Sequence, residues 1–300
     1  METSTRNLAD QEHLELVTEL LLSIRSEDRY AAPYEAADLQ WWWRDGDWGD
    51  PELQTYWLIH DSKPVAGFLK YDEGDRWACD CFWLPSAQAV VEKEVWPVVL
   101  RELQLLAGDK PVCTTVDERE EKWRAALESS GWQRSGESQV QMAQEPATPP
   151  EPLALPPGFI LQDETERDGE YPHPLSKRNG SHIVERLNEC SLYNPELDLL
   201  IKDPDGTVAA HCICWVDRGN QVGLFEPVRT EEEFQRRGLG LALMTEGIRR
   251  MMASDAVCIK VSHNNRNVAA QRLYRAAGFR PLFHKFEYVA VSNVAEPAGG

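Results

Sequence analysis

The sequence predicts two consecutive α/β domains, each a mixed, mostly antiparallel central sheet flanked by helices. Three observations carry this. Six prolines crowd residues 143–158, "AQEPATPPEPLALPPG", a density that neither a helix nor a central strand tolerates. The same order of elements recurs on either side of it. The two halves also differ in composition. Residues 1–150 hold 14 Lys+Arg against 29 Asp+Glu and ten of the eleven tryptophans, whereas residues 151–300 hold 17 against 21. The domains are therefore expected at 1–145 and 158–300, joined by a stiff linker at 146–157.

In the second half, "FILQDE" (159–164) reads as a strand and "SHIVERLNEC" (181–190) has helical spacing. "LDLLIK" (197–202) and "TVAAHCICWV" (207–216) flank the turn "DPDG" and form a hairpin. "QVGLFEPVRT" (221–230) is a third strand. "GLALMTEGIRRMMA" (240–253) places Leu241, Met244, Ile248, Met251 and Met252 on one helical face. "AVCIKVS" (256–262) is a buried strand, "NVAAQRLYRAAG" (267–278) a helix ended by Gly278, and "FHKFEYVAV" (283–291) a last strand. This order gives antiparallel strands first and then a strand–helix–strand crossover.

The first half repeats the outline. "TYWLIHD" and "KPVAGFLKY" form a hairpin, and "RWACDCFWL" (76–84) follows as a strand. "EKEVWPVVLRELQLLAG" (92–108) is a helix, "PVCTTVD" (111–117) a strand, and "REEKWRAALESSGW" (119–132) a helix ending in glycine. "NVAAQRLYRAAGF" aligns over "EEKWRAALESSGW" with an offset of 147, and the terminal Gly–aromatic pair coincides. The halves read as one ancestral domain, duplicated.

Composition narrows the function classes. A net charge of −19 argues against nucleic acid, because phosphate contacts require basic surface. No uninterrupted apolar run approaches a membrane span, and the start "METSTRNLADQEHLELV" lacks a secretory pattern. Seven cysteines in a chain this long fit reduced thiols in a cytoplasm. Cys79 with Cys81, and Cys212 with Cys214, stand two apart in strand-like runs. Each pair reads as buried thiols on one sheet face, and no metal is expected.

"EFQRRGLGLAL" (233–243) carries the chemistry. Strand, short loop, glycines, helix is an anion-binding arrangement, because the first turn of a helix has backbone N–H groups without intrahelical partners. Gly238 and Gly240 let a phosphate reach those amides, while Arg236 and Arg237 add full charges. Alone, the pattern reads first as a helix start with a flexible entry. It is neither a Rossmann G-x-G-x-x-G nor a Walker A.

"QRRGLG" after the strand "GLFEPVRT", and "NVAAQRLYRAAGF" after the strand "AVCIKVS", resemble the GNAT superfamily of N-acetyltransferases. The resemblance covers roughly residues 197–290. It implies that strands 221–230 and 256–262 are parallel neighbours that splay apart, with the pantetheine arm of acetyl-CoA in the gap. The arm would pair near Val228, Arg229 and Thr230. The loop Gln235, Arg236, Arg237, Gly238, Leu239, Gly240 and Leu241 would hold the diphosphate, and Asn267 would contact the cofactor arm. Tyr274 is the implied general acid for the departing thiolate, since a phenol with pKa about 10 is protonated at neutral pH. Glu226 is the candidate base, or it binds the substrate ammonium, or it acts through water. Many relatives place the base about two residues earlier, where this chain has Leu224. His211 and His263 are further titratable candidates, each with a packing or capping reading beside it.

Under the offset, Asn267 falls on Glu120, Tyr274 on Leu127, and the two glycines on Val91 and Lys93. The first domain is thus expected to be a degenerate copy without the cofactor loop. Its stripe Trp41, Trp42, Trp43 and Trp48 either packs in the interior or lines a site for a cationic substrate. The resemblance implies acetyl transfer from acetyl-CoA to a primary amine of a small molecule or peptide, by direct attack in a ternary complex. The alternative is a non-catalytic acyl-CoA-binding sensor or scaffold. Neither the acceptor nor the oligomeric state is legible.

Overall fold

The computed structural model describes residues 3–8, 10–42, 54–59, 63–108, 110–166 and 172–290. In chain order the strands are β1 (Thr3–Asn7), β2 (Gln54–Ile59), β3 (Lys63–Asp72), β4 (Trp77–Trp83), β5 (Val112–Asp117) and β6 (Trp132–Gln144). They continue as β7 (Ile160–Asp163), β8 (Asp198–Lys202), β9 (Val208–Asp217), β10 (Val222–Thr230), β11 (Cys258–Asn264) and β12 (Arg280–Ala290). The helices are α1 (Asp10–Glu27), α2 (Ala36–Trp41), α3 (Gln88–Val90), α4 (Trp96–Leu106) and α5 (Glu121–Ser129). After them come α6 (Ser176–Asn179), α7 (Ile183–Glu189), α8 (Leu239–Ala253) and α9 (Val268–Ala276).

Two compact units emerge. One comprises Met1–Pro33, Arg44–Gln139 and Phe283–Gly300; the other comprises Tyr34–Trp43 and Val140–Leu282. These bounds differ from a single division at residues 146–157. The proline-rich stretch 145–156 has neither helix nor strand, and it lies inside the second unit. The reason lies in two long strands: β6 and β12 each begin in one unit and end in the other.

The first unit orders its strands β1-β2-β3-β4-β5-β12-β6. Its pairs β1/β2, β2/β3, β3/β4 and β5/β12 are antiparallel. The exception is β4 with β5, parallel where Trp77 faces Val112 and Ala78 faces Cys113. Helix α1 presents Leu14, Val17, Leu20, Leu21 and Ile24 inward. Trp83, Trp96 and Trp123 form an aromatic cluster with ring centroids 5.1–6.2 Å apart. The helix expected over 92–108 is interrupted by a π-turn at Val91–Val95. Pro97 lacks the N–H that an α-helix would donate four residues back, and the π-turn just before it accommodates that loss.

The second unit orders its strands β6-β11-β10-β9-β8-β7. Strands β7 to β10 pair antiparallel, and β10 pairs parallel with β11 only over Val222–Leu224 against Cys258–Lys260. One face buries Leu243, Met244, Ile248 and Met251 of α8 against Cys212, Cys214, Phe225, Ile259 and Val261. The other buries α2 and α7 against Ile213, Trp215 and Leu224. Helix α2 is pinned there by Gln40, whose amide donates to Ser191 Oγ (2.9 Å) and whose carbonyl oxygen accepts from Leu192 N–H (3.0 Å). Trp41 is part of this core and Trp42 stands edge-on to Tyr34 at 5.1 Å, so both pack; Trp43 and Trp48 lie outside the described residues.

Two buried histidines make stability pH-dependent. Burial lowers His13 in the first unit and His211 in the second from 6.5 to about 4. Between those values the unfolded chain binds a proton that the folded chain refuses. Stability is therefore intact above pH 6.5 and falls as pH drops toward 4, by up to about 3 kcal/mol per group. His211→Leu should flatten the decline of the urea midpoint between pH 6.5 and 4.5; an unchanged slope would refute the assignment.

Candidate functional site

The loop before α8 is built to expose amides. Arg236 and Gly238 both take positive φ, +62° and +81°, which turns successive N–H groups toward one side. The backbone N–H groups of residues 236 to 241 find no acceptor among the described residues. Gly240 is there for space: a Cβ would come within 3.2 Å of Thr230 Oγ1 and of Leu273 Cδ2. Gln235 steadies the loop by donating from Nε2 to the Thr230 carbonyl (3.3 Å), and Arg237 donates to the Glu233 carbonyl (3.1 Å). With the partial positive charge of the 15-residue helix α8 behind it, this loop is an anion cradle.

The cradle stands at the end of a widening gap. Beyond Leu224 and Lys260, β10 and β11 no longer pair, so the β11-facing edge of β10 from Phe225 to Thr230 is unclaimed by its neighbour. On its other edge β10 keeps pairing with β9, except for a bulge between Phe225 and Val228. Pro227 has no N–H for the ladder, and the bulge absorbs it. Trp215 Nε1 donates to the Glu226 carbonyl at 2.6 Å and fixes the bulge. Val228, Arg229 and Thr230 face Cys212, His211 and Ala210 in register, and Arg229 is paired with Glu231 (2.9 Å).

Tyr274 projects from α9 into this region. It is 7% exposed and packs among Phe225, Phe279 and Val261. Its hydroxyl makes no hydrogen bond among the described residues. Burial, and secondarily the nearby Glu226 carboxylate, push the phenol well above its ordinary value. The Glu226 carboxylate thus lies near enough to raise the Tyr274 phenol, although 48 residues separate them in sequence. Asn267 is exposed, and its side chain caps α9 by accepting from Ala270 N–H (3.0 Å).

His263 and His211, both titratable candidates from the sequence, are buried, and so are two groups that the sequence did not single out, Lys260 and His173. His263 donates from Nδ1 to the Asn264 carbonyl (2.9 Å), and its Nε2 is buried and without a partner among the described residues. Its ring lies 5.9 Å from that of Tyr274. Lys260 is 1% exposed and pairs with Glu35 at 2.7 Å. No sequence signal could join residues 225 positions apart. His211 is buried, and neither ring nitrogen is bonded among the described residues. In the segment before α6, His173 receives Leu175 N–H at Nδ1 (3.2 Å), so its proton sits on Nε2 and is donated to Asp198 (2.8 Å). Asp198 also accepts from the Tyr193 hydroxyl (2.9 Å), which pins the segment before α6.

In the first unit the segment after β4 is tied to α1: Ser86 donates its N–H and its Oγ to the two carboxylate oxygens of Glu27, at 2.8 and 2.7 Å.

Among the described residues, no helix is long and apolar enough to cross a membrane. Residues 161–279 match the family model described as the acetyltransferase (GNAT) family. Solved structures with the same fold span almost the whole chain. A tandem GNAT protein from the clavulanic acid biosynthesis pathway is 15% identical, with a TM-score of 0.67, covering 98% of this chain and 100% of its own. A GCN5-related N-acetyltransferase from Sphaerobacter thermophilus is 16% identical, TM-score 0.58, covering 96% and 95%. A GNAT-family acetyltransferase from Colwellia psychrerythraea is 13% identical, TM-score 0.59, covering 96% and 99%. At such identities the likeness is one of fold. No curated protein matches the sequence. The architecture is that of tandem GNAT structures, and the match to the GNAT acetyltransferase family covers residues 161–279 of this chain.

Proposed function

We propose that the second unit transfers an acetyl group from acetyl-CoA to a primary amine of a small molecule or peptide, by direct attack within a ternary complex. The observation that carries this reading is the coincidence of the amide cradle at 236–241, the unpaired edge of β10, and the Glu226–Tyr274 pair at one gap. Bound acetyl-CoA would supply the thioester. The amides of residues 236 to 241 hold its diphosphate, and the edge near Val228, Arg229 and Thr230 pairs with its arm. Glu226 takes a proton from the acceptor ammonium, directly or through water. The freed amine attacks the thioester carbonyl, the C–S bond breaks, and Tyr274 donates its proton toward the departing sulfur. The high pKa of Tyr274 keeps it protonated for that task across the neutral range. The cysteines are all buried, and none stands in a nucleophile arrangement, so no acyl-enzyme step is invoked.

The first unit is proposed to be a degenerate copy that does not bind acetyl-CoA, because Val91 and Lys93 stand where Gly238 and Gly240 make room in the second. The domain reading keeps 158–300 as the catalytic segment and 1–145 as the degenerate one, with residues 34–42 and 283–290 belonging to the opposite units. The chain is read as a cytoplasmic enzyme without metal and without nucleic-acid partner, in line with its charge of −19.

The test is acetyl-CoA titration followed by thiol release on a panel of amines. One equivalent per chain should bind, and at 100 times its dissociation constant should stabilise the protein by about 2.7 kcal/mol. Thiol release with at least one amine is expected. Binding without release on any amine would favour the sensor reading, and two equivalents would remove the degenerate-copy claim.

A further inference from the structure

The open end of β10 presents different chemistry on its two faces. Val228 packs with the core under α8. Side chains alternate along a strand, so Arg229 points to the opposite face, the one that α2 and α7 cover further along. There it stands in register with His211 of β9. Burial lowers His211 to about 4, so that ring is neutral and adds no charge. Asp198, on the same face of β8, is already engaged by His173 (2.8 Å) and by the Tyr193 hydroxyl (2.9 Å). The bulge sets two residues, Glu226 and Pro227, against the single position of Ile213, whose side chain belongs to the α2/α7 core. Glu226 and Arg229 thereby become near neighbours on one face, roughly 7 Å apart along the strand.

The charge at this end of β10 is unbalanced. Arg229 donates from Nε to Glu231 at 2.9 Å, and Arg178 of α6 approaches the same carboxylate at 3.7 Å, outside hydrogen-bond reach. Two guanidinium groups therefore share one carboxylate. The terminal nitrogens of Arg229 find no acceptor among the described residues, and neither arginine has a second carboxylate there. The side chains of Arg178, Arg229 and Glu231 keep 44%, 30% and 32% of their surface exposed, so a solute can reach them.

We infer that the acceptor is an amino acid, a primary amine that also carries a carboxylate, with its ammonium against Glu226 and its carboxylate against Arg229 and Arg178. A guanidinium presents paired N–H donors that fit a carboxylate two at a time. Two cations against one anion leave a single positive charge, which one carboxylate neutralises. The chain's net charge of −19 would by itself favour a plain cation, whereas this corner favours a zwitterion. Transfer then gives the N-acetyl amino acid: the N–C bond forms, the C–S bond breaks, the ammonium proton goes to Glu226 and the Tyr274 proton to sulfur. The inference rests on the acyl-transfer reading and specifies its substrate class.

The test measures binding to the full chain in the presence of CoA, so that it does not require turnover. Glycine, β-alanine, 4-aminobutyrate and 6-aminohexanoate are titrated by calorimetry, each beside its carboxamide, which keeps the amine and removes the carboxylate. At least one amino acid should bind about tenfold or more tightly than its amide. Arg178→Gln should lose most of that preference, while acetyl-CoA stabilises the variant as it does the parent. Equal binding of every acid and its amide overturns the inference, and so does a preference untouched by Arg178→Gln. Loss of acetyl-CoA stabilisation in that variant also overturns it, by assigning the arginine to the cofactor. Failure of the acyl-transfer reading shows separately, as no thiol release from acetyl-CoA with any amine, charged or neutral at its far end.

Discussion

Tyr274→Phe lowers kcat by about 10²–10⁴-fold while acetyl-CoA still stabilises the protein as it does the parent. The ring is what packs against Phe225 and Phe279, and phenylalanine keeps it. The hydroxyl has no partner among the described residues, so its removal orphans no buried group and the stability of the fold should stay within about 0.5 kcal/mol. What disappears is the one proton donor poised at the gap. Because burial and Glu226 hold the phenol well above pH 10, no limb of the parent's pH–rate profile between pH 6 and 9 belongs to Tyr274. A kcat within threefold of the parent would exclude Tyr274 as the acid and leave it a packing residue.

The second large effect falls on binding. Gly238→Glu should abolish stabilisation by acetyl-CoA and by free CoA alike. At φ +81° a side chain costs roughly 1–2 kcal/mol, and a carboxylate beside the amides of 236 to 241 opposes the diphosphate they would hold. The two contributions can be separated. No atom lies within 4 Å of a Cβ built at Gly238, so Gly238→Ala adds strain without a clash or a charge. It should lower the melting temperature of the free protein yet retain a reduced shift with acetyl-CoA. If Gly238→Glu retains the parent's full shift, the glycines are only a helix junction, and acyl transfer loses its cofactor site.

Much of the second unit is legible in the sequence because its strands are short apolar runs between turn signals. "LDLLIK", "TVAAHCICWV" and "AVCIKVS" declare themselves, and β8, β9 and β11 follow within two residues. Gly238 and Gly240 are equally legible, since few other residues tolerate what their positions demand. Strand β6 was not read. "WQRSGESQVQMAQ" is polar, contains a glycine, and buries an unbroken run only over Val140–Ala143. The insertion of 34–43 into the second unit is invisible for a different reason. It rests on Gln40 and Glu35 meeting groups some 150 and 225 positions away, and nothing local marks such contacts. The meeting of Glu226 with Tyr274 came from family resemblance; the spacing of the two residues says nothing of it.

Strand β12 has a consequence for synthesis. Its residues Lys285–Val289 pair with Cys113–Asp117 of β5. Ribosomes extend chains at roughly 5–20 residues per second, so β5 waits on the order of ten seconds for its partner to leave the exit tunnel. Throughout that interval most of "VCTTVD" has an open edge, a segment of β-branched residues with one charge. The N-terminal half therefore cannot finish folding before the C-terminal half is made, and the nascent chain needs its edge shielded until the last strand arrives.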